Sequence, residues 1–386
     1  MRAIARRNNA AANSLSIAAA LRLSQQKDFP MNLEQLGWDP FFDNAWKSVE
    51  AAGTEPGRVI AQHRALWTVA GQFGELQAEA SGKLRQSTEE SALWPTIGDW
   101  VVAKAKVGGG MVIHDVLPRR TQITRKIPGK QSKPQVLAAN VDTLFLTMGL
   151  DGDFNVRRLE RFLAQFWNSG AKPVLLLNKA DVRDDAKEIA ASIRAELLGV
   201  DVLCISARTG TGLQELDAYV TECRTIVLVG SSGVGKSTLV NRLLCAERQC
   251  TQTVRATDSR GRHTTTAREL FFLGSGAMLI DTPGLRELQL WDPGQGLQSV
   301  FADLSDLAQR CRFRDCRHQE EPGCAVRAAI EQGDLAPDRL ESYRKLQREQ
   351  EFQQRKTDAL AAQERKSSLK KTHREIRRYY RERDVP

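Results

Sequence analysis

Long apolar runs are missing from this chain. No stretch approaches the roughly 18 consecutive apolar residues that a membrane span requires, so no membrane partner is expected. Aromatic residues are sparse, 6% against 41% hydrophobic in total, a balance that suits a globular protein with buried cores. There are only seven cysteines in 386 residues, too few and of the wrong parity for a disulfide framework. A reducing, cytoplasmic setting fits that usage. The first 26 residues contain no acid and four Arg, set among Ala, Ser and Asn. Such a segment reads as leader-like or disordered, with Met31 a candidate alternative start, and no structural role is expected of it.

Charge is present but unevenly spread. The chain carries a formal +9, and residues 365–383 hold nine Lys/Arg against two acids, Glu375 and Glu382. A basic tail of this kind reads either as a solvated helix or as a strand-following arm on a phosphate backbone, and the second reading is preferred.

Texture divides the chain into four parts, expected at 1–53, 54–127, 128–297 and 298–386. The first is read as a largely irregular extension. The second alternates short strands with turns: Arg58–Trp67, Asp99–Ala105 and, after a Gly108-Gly-Gly110 turn, Met111–Val116. Five or so strands in about seventy residues predict a small oligonucleotide-binding barrel, although a barrel without nucleic-acid function has the same strand count. In the third part, apolar runs at Val141–Met148, Pro173–Leu177, Val200–Ile205, Thr225–Val229 and Ala277–Ile280 are separated by helix-period segments. Buried parallel strands alternating with helices predict a doubly wound α/β domain. Beyond Ser299 the pattern is helical and polar, with a cluster of Cys and His.

Gly230-Ser231-Ser232-Gly233-Val234-Gly235-Lys236-Ser237-Thr238 follows the strand Thr225–Val229 and opens an amphipathic helix. In that setting glycines let backbone N–H groups converge on phosphate oxygens at a helix N-terminus. Lys236 is expected on the β/γ-phosphates and Ser237 on Mg²⁺. Asn178-Lys179-Ala180-Asp181 ends the strand Pro173–Leu177. Its Asp181 carboxylate can accept both N1–H and N2–H₂ of guanine, which adenine does not offer. Ser206-Ala207 follows the next strand and can supply a backbone N–H for guanine O6. Asp281-Thr-Pro-Gly284 ends the strand Ala277–Ile280, with Asp281 expected near Mg²⁺ and the Gly284 N–H near the γ-phosphate.

One catalytic residue is lacking. Many GTPases place a water-orienting Gln after Gly284, and here the residue is Leu285. The nearest substitute is Gly261-Arg-His263-Thr264-Thr265-Thr266, whose threonines, Thr265 among them, offer a Mg²⁺ hydroxyl and whose His263 can orient water. Finally, Cys311, Cys316, His318 and Cys324 place three thiols and one imidazole within fourteen residues, a donor set for one structural Zn²⁺. Cys204, Cys223, Cys245 and Cys250 have no such grouping and read as core or incidental.

The base reader precedes the phosphate loop here, the reverse of the usual order. That permuted order, with Gly261–Thr266, Asp281–Gly284 and the Cys/His spacing, resembles the ribosome small-subunit-dependent GTPases, a circularly permuted family, from about Gly37 to the C-terminus. The resemblance implies a barrel, a permuted GTPase domain and a zinc-bearing helical domain. It also implies binding of the immature small ribosomal subunit through its rRNA, hydrolysis of GTP to GDP stimulated there, and release. It assigns the water-orienting role to His263, and the protein is expected to act as a monomer. Two other readings stay open at this stage: an ATPase or kinase sharing only the phosphate loop, and a zinc-dependent RNA-binding module with a merely structural nucleotide.

Overall fold

The computed structural model describes residues 32–63, 66–87, 94–126, 134–151, 154–197, 199–245, 268–281, 296–352 and 355. Residues 1–31, His263, Thr265, Gly284, Leu285 and the tail 365–383 lie outside them.

The stretch just before the barrel departs from the irregular extension expected of it. Asp39 caps helix α1 (Pro40–Lys47), its carboxylate accepting from the Phe41 N–H at 3.0 Å, and Pro40 occupies the first turn. Phe42 is buried, and Trp38 meets Trp100 edge-on at 4.7 Å between ring centroids. Aromatic burial against the barrel gives this short segment the tertiary support that an isolated helix of its length lacks.

Strands β1 (Thr54–His63), β2 (Leu66–Gly71), β3 (Gly74–Ala80), β4 (Trp100–Ala105) and β5 (Met111–Val116) close into a barrel, with helix α2 (Gly82–Ser87) after β3. The circuit runs β1–β2–β3–β5–β4 and returns to β1 through pairs from Thr54↔Lys104 to Arg58↔Trp100. Only β3–β5 is parallel. Val59, Trp67, Val69, Val101, Met111 and Ile113 fill the interior. The sequence reads Arg58–Trp67 as one strand, whereas the structure folds it into the β1–β2 hairpin, with Gln62 paired to Trp67.

β6 (Gln122–Lys126) and β7 (Pro134–Ala139) form a separate two-stranded ribbon that leads into the α/β part. There follow β8 (Thr143–Gly149), α3 (Val156–Trp167), β9 (Lys172–Asn178), α4 (Ala186–Glu196), β10 (Asp201–Cys204), β11 (Thr225–Val229), α5 (Lys236–Cys245), β12 (Arg268–Phe272) and β13 (Met278–Asp281). Their order in the sheet is β10-β9-β8-β11-β13-β12, parallel except for β12. Period-two alternation sorts the side chains. Leu144, Leu146, Leu175 and Val227 join one apolar cluster, and Phe145, Val174, Leu176 and Ile226 join another on the opposite face. Strand order reverses between β8 and β11, and ligands of open α/β sheets bind at the carboxyl ends of such strands.

Two joints fix the flanking parts to this sheet. On one side the end of β1 pairs with β12, Ala61 against Glu269 and Gln62 against Arg268, so the barrel and the α/β sheet share one hydrogen-bonded sheet. Arg58, buried at this junction, donates to the carbonyls of Leu36 and Asn140 and, at 2.8 Å, to the Thr225 hydroxyl. On the other side lie α6 (Gly296–Val300), α7 (Ala302–Ala308), α8 (Ala325–Gln332) and a helix over residues 337–352, here α9. They pack on α3 around Phe301, Leu304, Val326 and Leu340. At their centre Arg339 donates to buried Glu160 of α3 at 3.0 Å, to Asp303 at 2.5 and 2.8 Å, and to the Val300 carbonyl at 2.9 Å. No helix among the described residues is long and apolar enough to cross a membrane.

Candidate nucleotide and metal sites

Parallel register brings the sequence-predicted groups to one edge. Val229 lies beside Leu146, Gly149 beside Asn178, and Leu177 beside Cys204. The residues that follow each strand end therefore converge. The phosphate loop leaves β11 with Gly230, Gly233 and Gly235 at φ of 145°, 81° and 95°. A Cβ on Gly230 would stand 2.1 Å from the Thr147 carbonyl oxygen, and one on Gly235 would stand 2.3 Å from Asn178 Nδ2. Both positions need glycine for conformation and for space.

Asn178 is the hinge of the site. Its Nδ2 donates to the Val234 carbonyl at 2.8 Å, and its Oδ1 accepts from the Ala207 N–H at 2.9 Å. One buried amide thus ties the phosphate loop, the base-reading strand and the Ser206-Ala207 loop together. Lys236 Nζ donates to the Gly230 carbonyl at 2.6 Å and to that of Ser231, so the loop curls around its own ammonium. Ser237 and Thr238 occupy the first turn of α5. Asp281 is the last residue of β13, opposite Glu269.

At the base-reading end, Asp181 accepts from the Ser206 hydroxyl at 2.5 Å and pairs with Arg208. The Ser206 hydrogen bond, then its own backbone N–H and the Arg208 charge, hold its carboxyl below the ordinary range, so it is ionised near neutrality. An ionised carboxylate is the form that accepts two N–H groups from guanine. Lys179, at φ 64°, pairs with Asp151 after β8.

Three arginines and one acid at this site escape a motif-based reading. Arg242 of α5 holds the Ala207 and Arg208 carbonyls at 3.1 and 2.6 Å. Arg158 of α3 donates to the Ser231 hydroxyl at 3.3 Å. Asp151 and Arg208 pair with Lys179 and Asp181. Arg208 directly follows Ser206-Ala207 in the chain; Arg158, Arg242 and Asp151 belong to no spaced signature, and only the fold brings them to the site.

The Cys/His cluster forms as the spacing predicts. The donor atoms of Cys311, Cys316, His318 and Cys324 all lie within 4.8 Å of one another. Sγ of Cys311 is 3.9 Å from Sγ of Cys324, and His318 Nδ1 is 3.6 and 3.4 Å from the two sulfurs. A tetrahedral Zn²⁺ with Zn–S of about 2.3 Å gives edges of about 3.8 Å, so the donor set fits that ion. The loop is braced from within by Glu321 and from outside by Arg344. Glu321's own N–H, followed by those of Arg317, Gln319 and Glu320, lowers its carboxyl to about 2. Arg344 of α9 donates to the carbonyls of His318 and Arg317.

Comparison with known proteins agrees with this geometry. A family model described as RsgA GTPase matches residues 116–291. The small ribosomal subunit biogenesis GTPase RsgA of Opitutus terrae is 44% identical over 353 residues, spanning 89% of this chain and 96% of that protein. The chain belongs to the RsgA GTPase family. The RsgA of Syntrophotalea carbinolica is 44% identical over 327 residues, 83% of this chain and 90% of its own. A second model, described as 50S ribosome-binding GTPase, matches residues 225–384, from the phosphate-loop strand onward. Among solved structures, YjeQ from Thermotoga maritima aligns with a TM-score of 0.57 at 26% identity, covering 76% of this chain and 97% of that one. YloQ, titled a circularly permuted GTPase, aligns with a TM-score of 0.54 at 23% identity, covering 81% and 98%, and attests the permuted fold.

Proposed function

We propose that this RsgA-family GTPase binds the small ribosomal subunit late in its maturation, hydrolyses GTP faster when bound, and leaves as GDP forms. The observation that carries the reading is Asn178, whose one amide joins base reader and phosphate loop despite their reversed order in the chain. In this reading Asp181 selects guanine, Ser206 and Ala207 close over it, and Gly230 to Thr238 with Lys236 hold the phosphates. Ser237, Asp281 and Thr265 would hold Mg²⁺, which when bound neutralises charge on the β- and γ-phosphates. Water attacks the γ-phosphorus as the bond to the bridging oxygen of GDP breaks. Leu285 has no polar atom to orient that water, so His263 does so, and the Gly284 N–H meets the γ-phosphate. The barrel and the basic tail at 365–383 bind rRNA, the protein acts as a monomer in the cytoplasm, and Zn²⁺ on Cys311, Cys316, His318 and Cys324 holds their loop in shape.

The test is GTP turnover by the full chain, alone and with purified small subunits, for wild type and His263→Ala. Stimulation by subunits that His263→Ala lowers by about 10³-fold or more, with GTP affinity intact, is the expected result. Turnover indifferent to small subunits defeats the small-subunit reading. Equal stimulation of both proteins returns the catalytic role to another group. Subunit binding and release indifferent to nucleotide would instead favour a structural nucleotide.

A further inference from the structure

Helix α3 touches the phosphate loop directly and reaches the Cys/His loop through α9. At its first turn, capped by Asn155, Arg158 reaches the Ser231 hydroxyl of the phosphate loop. Two residues on, Glu160 is fully buried and accepts from Arg339 at 3.0 Å and from the Ser342 hydroxyl at 2.5 Å, both on α9. Arg157 and Arg161 add pairs to Asp338 at 3.7 Å and Glu349 at 3.3 Å along the same helix. Two residues beyond Ser342, Arg344 of α9 holds the His318 and Arg317 carbonyls of the Cys/His loop. A continuous run of side-chain contacts and two rigid helices therefore leads from Ser231 to His318.

We infer that α3 is a mechanical link through which nucleotide occupancy of the phosphate loop and the seating of α9 on the Cys/His loop bias one another. Arg158 is the positioning residue at one end, and Glu160 with Ser342 forms the transfer point. The physical basis is differential contact. A phosphate in the loop recruits Lys236 from the Gly230 and Ser231 carbonyls, which frees that backbone to shift against Arg158. Arg157 of the same helix holds Glu160 at 3.1 and 3.2 Å and moves with it, but a shift of α3 that left Arg339 and Ser342 behind would strip a fully buried carboxylate of two donors, which is costly. Linkage then makes the effect reciprocal. The inference rests only on nucleotide binding at the phosphate loop and needs no ribosomal partner.

Hydrogen exchange on the full chain, nucleotide-free or saturated with GDP or a non-hydrolysable GTP analogue, tests the link. In wild type, nucleotide should change exchange across residues 337–352 by about fivefold or more, the lower range of allosteric coupling. With nucleotide at concentrations that saturate each variant, checked by direct binding, Arg158→Leu should lose that change and Arg158→Lys should keep part of it. Ser342→Ala, which leaves the phosphate loop intact, should weaken the response in the same direction. The link is overturned if wild type shows no nucleotide-dependent change at 337–352, or if both Arg158→Leu and Ser342→Ala respond as wild type does. Neither outcome bears on small-subunit binding, because no subunit enters the experiment.

Discussion

The barrel and the C-terminal helices are attached to the same nucleotide-binding sheet by opposite means. The barrel joins through backbone: β1 continues the sheet at β12, and Arg58 closes the junction on carbonyls and a hydroxyl, with no carboxylate among its hydrogen-bond partners. The helices join through side chains, with Arg339 between two acids, one of them fully buried. A ladder fixes register and direction together, because a slip of one residue inverts every side chain. An ion network fixes only the distances between its charges and can re-form elsewhere or solvate. The two joints thus differ in kind: one makes a single body, and the other makes a contact that can be re-set.

The largest effect should come from the helical joint. Arg339→Met takes from Asp303 its guanidinium partner and leaves buried Glu160 with Arg157 alone, and the expected loss is about 3–5 kcal/mol in urea unfolding. Combining it with Glu160→Gln and Asp303→Asn should restore most of that loss, since the charges then vanish together. Failure of the triple variant to recover would mean that packing, not charge, holds this joint.

The barrel joint should give a smaller loss with no such rescue. Arg58→Met leaves the Leu36 and Asn140 carbonyls and the Thr225 hydroxyl without a donor, about 2–3 kcal/mol in the same assay. No neutralising partner substitution can compensate for it, because three of its acceptors, the carbonyls of Leu36, Gly98 and Asn140, are main chain. Full recovery through an acidic-residue substitution nearby would erase the distinction between the two joints.

The smallest effect is acid-dependent and belongs to the helical side. Glu321 falls from an ordinary 4.5 to about 2 because backbone N–H groups of its own loop, including those of Arg317, Gln319 and Glu320, donate to it. Its stabilisation is complete above pH 4.5 and is lost as pH falls toward 2. The melting-temperature gap between wild type and Glu321→Gln should therefore be widest near neutrality and close on acidification. A gap that stays constant with pH would assign the role to shape, not charge.

The parallel strands were plain in the sequence because burial on both faces leaves unbroken apolar runs; Thr225–Val229 falls where it was expected, and Lys172–Asn178 covers the expected run Pro173–Leu177. The Cys/His cluster was plain because it is local. The hairpin at Arg58–Trp67 was not, since His63-Arg64-Ala65 carries neither Gly nor Pro to mark a turn. Strand β12, Arg268-Glu-Leu-Phe-Phe272, begins with two charges and resembles neither a buried run nor an alternation. Helix α1 followed a readable Asp39-Pro40 start but was masked by the polar texture around it. The joints were least legible of all. Glu160, Asp303 and Arg339 sit far apart in the chain, and no spacing rule connects them.

The pairing of β1 with β12 has a consequence for solubility. An open α/β sheet ends in a strand whose free N–H and C=O groups can recruit another chain. Here part of β12 is occupied by the barrel, and the opposite edge is the four-residue β10. Fusing the two modules through a shared ladder thus shields an edge that would otherwise template aggregation. A separation of barrel from sheet, by design or by damage, would expose Arg268–Phe272 to any strand within reach.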